Sequence, residues 1–477
     1  MSNYDLILRN GRVLTATTND SQDIAIRNGK IADIGQIDAH ADTEIDATNK
    51  VITPGGVDAH AHIEQMSGMG LMNADTFETA TRSAALGGTT SVISFAPQTM
   101  GITLRAAVAD YAARARRGAS IDHAFHIILN DLAEPNVIKD LGNLIAAGHR
   151  SIKIFTTYNI KLSDRDICDV LAVAREAEAL VCVHAENDGL IGWTKSALLA
   201  NGKTQPKHHA ISHPRLAEIE AVDRLIRFAE YFATPVMLFH ISTHEAVASI
   251  RAARARGVPV WAETCPHYLF MTDAALEKPG LDGAKWMCSP PQRTQDDQIA
   301  LFDGLADGTL DLVSSDHAPY RFDDTGKLSN GPKSTFAEIA NGLPGLEVRM
   351  PLMFDAMQRG KITSQQFVTL CCTAPAQIHG LANKGDIAIG YDADLVIWEP
   401  DAQSTYGDND LGDNVGYNPW HGRQRIGQVD SVYLRGTPVV SDGAFVGSPG
   451  SGQWLSRDRM GVTTDAAPAD EYTAAIS

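Results

Sequence analysis

No apolar run in this chain approaches the roughly 20 residues that a membrane-spanning helix needs. The opening MSNYDLILRNGRVLT has no basic stretch followed by an apolar one, so no secretion signal is read there. Cysteine is scarce and scattered. Six in 477 residues (Cys168, Cys182, Cys265, Cys288, Cys371 and Cys372) form no disulfide framework and fit free thiols in a reducing cytoplasm. Positive charge is in deficit: a formal net charge of −18 speaks against nucleic acid or an anionic membrane as the main partner. What is left is a soluble globular composition, 44% hydrophobic and 21% charged, in a chain too long for one ordinary core.

Eight short β-branched runs punctuate the middle of the chain: VDAHAHI (57–63), TSVISFA (90–96), HAFHIIL (123–129), SIKIFTTY (151–158), VCVHAE (181–186), VMLFHIS (236–242), VWAETCP (260–266) and LVSSDHA (312–318). Between most of them lie stretches with helical apolar spacing, such as DTFETATRSAALGG and EAVASIRAARARG, with Gly87–Gly88, Gly148 and Gly257 at expected helix ends. Alternating strands and helices call for a parallel sheet. Eight such units over this length predict an α/β fold, a closed (β/α)₈ TIM-like barrel over 55–384.

The two ends read differently. Segments 5–15 and 23–35 are strand-like and carry Asn10–Gly11 and Asn28–Gly29, pairs that favour tight hairpin turns. DADLVIWE (392–399) and SVYLRGTPVV (431–440) have the same character. Residues 1–54 and 385–445 are therefore expected to join in one small β-sandwich domain. The tail 446–477 is Gly/Ser- and then Ala-rich, and is expected to be extended or disordered unless a neighbouring subunit holds it.

His60 and His62 close the first run two residues apart, so on a strand both imidazoles share one side and can share one metal. A lone His-x-His pair is weak evidence. His184, His240 and Asp316 end the fifth, sixth and eighth runs, however, and Lys153 sits in the fourth. Barrel active sites gather where the strands end, and four imidazoles with a carboxylate suit zinc or a similar ion. An ammonium beside a cation would be repelled, so Lys153 is either a lysine that snorkels to water or a modified one.

These motifs resemble the amidohydrolase superfamily, and within it the dihydropyrimidinase/hydantoinase family. The resemblance is carried by PGGVDAHAHIE (54–64), SIKIFTTY (151–158), VCVHAEN (181–187), FHIST (239–243), ETCPHYL (263–269), CSPPQR (288–293), SSDHAPY (314–320), NGLPGLE (341–347) and the tail's GSGQWLSR (450–457). It implies two divalent ions, zinc first, with His60, His62 and Asp316 on one, His184 and His240 on the other, and a carboxylated Lys153 bridging. It implies further that Tyr158, Ser289 and Asn341 hold the substrate, the last two through backbone groups. Tyr158 would also steady an oxyanion, and Asp316 would carry a proton from a metal-bridging hydroxide to the leaving ring nitrogen. Read alone, Tyr158 is equally a packed aromatic, and Ser289 and Asn341 are equally turn residues. His267 is expected to support ligands, while His208, His209 and His213 are expected at the surface or in support. Homotetramers are common in the family, so a homotetramer or homodimer is expected.

The expected activity is hydrolysis of the ring amide of a hydantoin or dihydropyrimidine. The sequence also departs from the pattern. No arginine follows His62, where dihydroorotases usually carry one for the substrate carboxylate, which also weakens an allantoinase reading. The loop EQMSGMGLMNADTFE is rich in Met and Gly where relatives carry more aromatics, and Ser94 stands where an acidic residue is common. A cyclic imide hydrolase therefore stays open. The rival of another class is a non-catalytic scaffold, which would hold no stoichiometric metal; every ligand position here is filled by a competent residue.

Overall fold

The computed structural model describes residues 4–462 and 466–476. Eight parallel strands, Gly56–Ala61, Thr89–Pro97, Asp122–Ile128, Ser151–Phe155, Leu180–His184, Val236–Leu238, Val260–Thr264 and Leu312–Val313, pair in sequence order. The first and last meet through a parallel bridge between Ala61 and His317, and His62 N–H donates to the His317 carbonyl at 2.7 Å. The expected barrel is therefore present, and each strand lies within or overlaps its predicted run. The sixth and eighth strands are shorter than their runs because the chain leaves the sheet to present His240 and Asp316.

Local chemistry sets the helix starts. Thr76 and Thr79 form a reciprocal capping box at Phe77–Leu86, and Ser163 and Asp166 do so at Asp164–Glu176. Closure of the barrel is reinforced from the helix Leu346–Gln358. There the buried Arg349 guanidinium meets Asp58 of the first strand at 3.2 Å, the Val313 carbonyl of the eighth at 3.0 Å and Thr89 Oγ1 of the second at 3.1 Å.

Both chain ends contribute to one nine-stranded sheet: Val51–Pro54 pairs antiparallel with Leu395–Thr405, joining the N-terminal strands to the C-terminal ones. It encloses its own apolar core, including Leu8, Ile24, Ile26, Ile52 and Leu395. Asn28–Gly29 makes the expected two-residue hairpin turn, with φ of 53° and 74°. Asn10–Gly11 does not. It lies inside the strand Tyr4–Leu14 as a bulge, where a Cβ on Gly11 would come within 2.4 Å of the Ile52 side chain.

The tail through residue 462 is extended and runs along its own barrel. His123 N–H donates to the Gln453 carbonyl at 2.9 Å and Leu455 N–H to the His123 carbonyl at 2.8 Å. The buried Arg457 then reaches Ser151 Oγ at 2.7 Å and the Phe125 carbonyl at 2.6 Å, closing the end of the barrel opposite the strand termini discussed next. Backbone groups at the barrel floor thus take up this extended segment.

Candidate active site

His60, His62, Lys153, Tyr158, His184, His240, Ser289, Asp316 and Asn341 all line a single cavity of about 330 Å³ at the carboxyl ends of the barrel strands. His60 Nε2 and His62 Nε2 lie 3.0 and 3.5 Å from the same Asp316 oxygen. One ligand atom from each of these three residues falls within 4.8 Å of the others. The His184 and His240 rings are 4.5 Å apart, and His240 is 5.4 Å from His60. His240, Asp316 and Tyr158 have φ of 44°, 44° and 70°, so all three turn into the cavity from left-handed backbone that costs energy in non-glycine residues.

Three of the four imidazoles are oriented through one ring nitrogen. His60 Nδ1–H donates to Glu263 and His62 Nδ1–H to Gln65 Oε1 at 2.8 Å. His184 Nε2–H donates to Glu186 Oε2 at 2.8 Å, and His213 Nδ1–H holds the other oxygen of that carboxylate at 2.9 Å. His60 Nε2 and His240 Nδ1 are buried without a hydrogen-bond partner. Orphaned imidazole nitrogens around a carboxylate, with His60, His62 and His184 backed by a second polar group, make a donor set that fits divalent metal ions.

Electrostatics support this. Burial alone would raise the Asp316 carboxyl, but the His60 and His62 imidazoles outweigh it and hold it well below the usual range. Burial pulls the Lys153 ammonium down to about 8. Burial, with Glu186 close by, keeps the Tyr158 phenol well above its ordinary value, so it is a hydrogen-bond donor at neutral pH.

Sequence reasoning missed Glu263, Glu186 and Gln65 as orienting partners. Glu263 and Glu186 stand inside the motifs quoted for the resemblance, and Glu186 follows His184 at the strand-face spacing of two. That spacing was the one usable signal. His209 and His213 are buried and supporting: His209 Nε2–H donates to the Cys288 carbonyl at 2.7 Å, next to Ser289. His267 is buried beside the cavity, where burial lowers its imidazole to about 4. Asn341 Nδ2–H donates to Ser289 Oγ at 3.0 Å, linking the two expected substrate-holding segments.

Comparison with known proteins agrees with this geometry. Residues 51–439 match the model of the Amidohydrolase family. The D-hydantoinase of Rhizobium radiobacter is 38% identical over 456 residues, 95% of this chain and 99% of that protein. The crystal structure of dihydropyrimidinase from Brevibacillus agri superposes with a TM-score of 0.92 at 37% identity, covering 96% of this chain and 99% of that one. An L-hydantoinase from Arthrobacter aurescens is more distant, with a TM-score of 0.86 and 26% identity over 95% of this chain and all of that one. The chain belongs to the amidohydrolase family, in its hydantoinase and dihydropyrimidinase branch. Among the described residues no helix is long and apolar enough to cross a membrane.

Proposed function

We propose that this protein is a zinc-dependent cyclic amidohydrolase that opens the ring amide of hydantoins or dihydropyrimidines. The observation that carries the reading is the convergence of four imidazoles, Asp316 and a buried lysine in one cavity, in a chain similar over nearly its full length to D-hydantoinases. His60, His62 and Asp316 would hold one ion and His184 and His240 the other. Lys153 would bridge them as a carbamate: the ammonium gives one proton to solvent, the neutral amine forms an N–C bond to carbon dioxide and loses a second proton, and the side chain so changes from cation to anion.

Bound there, the ions would supply Lewis acidity for the ring carbonyl and acidify a water. The chain's own residues do the rest. Asp316, held ionised by its imidazole neighbours, takes the proton of the attacking water and returns it to the departing ring nitrogen. That return matters because an unprotonated amide nitrogen is a poor leaving group. Tyr158, kept protonated by burial, donates to the oxyanion as the carbonyl carbon becomes tetrahedral. Ser289 and Asn341 position the ring through their backbone groups, and the Asn341–Ser289 hydrogen bond keeps the two segments in register. Exposed apolar side chains such as Trp193 and Leu216 suit assembly into a homodimer or homotetramer, which light scattering would read.

The test is a screen of the zinc-loaded full chain against hydantoin, dihydrouracil, succinimide and allantoin. The expected products are N-carbamoylglycine from hydantoin or N-carbamoyl-β-alanine from dihydrouracil. Stoichiometric metal with turnover of succinimide or allantoin alone would overturn the substrate assignment. Absence of stoichiometric metal would favour a binding scaffold.

A further inference from the structure

This inference rests on the ring-opening reading above and concerns what the ring carries. Lys195 lines the same cavity as the candidate ligands. It lies on the helix Asp188–Ala200, where Ile191, Lys195 and Leu198 follow the spacing of one helix face. Ile191 and Leu198 are buried, whereas Lys195 is exposed and lines the cavity from the same face.

Among the described residues no carboxylate or carbonyl pairs with Lys195. The acid at the start of its own helix, Asp188, is already engaged by Lys161 Nζ and by Thr157 Oγ1 at 3.2 Å. Asp316, the one carboxylate in the cavity wall among the described residues, is turned toward His60 and His62. The loop after the first strand brings Ser67, Met69 and Asn73 to the wall and no aromatic ring. Asn159 Nδ2–H ties that loop to the far side through the Gly68 carbonyl at 2.9 Å. A neutral alkyl or aryl substituent would gain nothing from the hydrated ammonium, whereas an anionic one would gain a charge-assisted hydrogen bond and be drawn toward the mouth.

We propose that the preferred substrates are cyclic ureides whose exocyclic substituent ends in a carboxylate, and that Lys195 receives it. Lys195 is thus a specificity-determining residue, remote from the bond being broken.

The test compares kcat/KM of the zinc-loaded full chain for hydantoin-5-propionate and its neutral isostere hydantoin-5-propionamide. The wild type should favour the propionate up to about fivefold, mainly through KM, as expected for one exposed ion pair. The ratio should fall to about one in Lys195→Met, persist in Lys195→Arg and invert in Lys195→Glu. Equal values in the wild type, or a preference that survives Lys195→Met, overturn the proposal, and ring opening of either compound then leaves the proposed function standing. If neither ring is opened, that function fails on its own, and calorimetric binding of the two compounds decides on Lys195. Tighter propionate binding by wild type but not by Lys195→Met supports it; equal binding overturns it.

Discussion

The Lys153 ammonium lies 4.1 Å from the centre of the Phe239 ring and 4.8 Å from that of Phe155, and no carboxylate among the described residues pairs with it. Aromatic faces favour a cation only weakly against the cost of burial, which explains an ammonium brought down to about 8. Such an amine is partly neutral at physiological pH and open to carbon dioxide. Lys153→Ala should therefore lose bound metal and activity together, with partial recovery on adding short carboxylic acids. Elemental analysis checks it: full metal content in the variant would sink the carbamate assignment.

Glu263 acts as a brace. Its carboxylate accepts from His60 Nδ1–H, from Ser314 Oγ–H and, at 3.3 Å, from His240 N–H, so one side chain on the seventh strand aligns groups from the first, sixth and eighth. Glu263→Gln keeps the shape but removes the charge that fixes the His60 ring. Metal affinity should fall about 10- to 100-fold while the melting temperature changes little. Titration in metal-buffered solution reads this, and unchanged affinity would show that Glu263 serves packing alone.

Asp316→Asn separates proton transfer from folding. The amide can still face His60 and His62, but it cannot take a proton from water at neutral pH. Turnover should drop about 10²- to 10⁴-fold, with circular dichroism and melting close to wild type. A variant that kept near-normal kcat would remove Asp316 from the proton path.

The barrel was legible because each strand is buried on both faces and therefore reads as a compact β-branched run. The polar lining of the cavity was legible because His60, His62, His184, His240 and Asp316 stand where those runs end. Less visible were Glu263, Glu186 and Gln65, whose importance lies in what they touch across the barrel; sequence spacing marks only the His184–Glu186 pair. Asn10–Gly11 misled for a related reason. The same dipeptide serves a hairpin at 28–29 and a bulge at 10–11, and contact with Ile52 selects between them. The tail's contacts were not legible, because a Gly- and Ser-rich composition says nothing about the partners that Arg457 finds on Ser151 and Phe125.

Glu347, in the NGLPGLE segment, should make stability depend on pH. Burial raises its carboxyl to about 8; the Gly412 N–H donated at 2.7 Å opposes the rise, and nearby Asp413 adds to it. In the unfolded chain the group returns to its ordinary value of 4.5. A carboxyl whose pKa is higher in the folded state favours folding through its neutral form. That contribution is complete below about pH 4.5 and is lost as pH climbs toward 8, with a slope of at most about 1.4 kcal/mol per pH unit. Glu347→Gln retains an oxygen for Gly412 N–H and cannot ionise. Wild type and variant should therefore have similar denaturation midpoints at pH 5, and the variant should become progressively the more stable of the two up to pH 8. Other titrating groups contribute equally to both curves, so their difference isolates this one side chain. Parallel curves across that range would mean that Glu347 ionises as freely in the folded protein as in the unfolded chain.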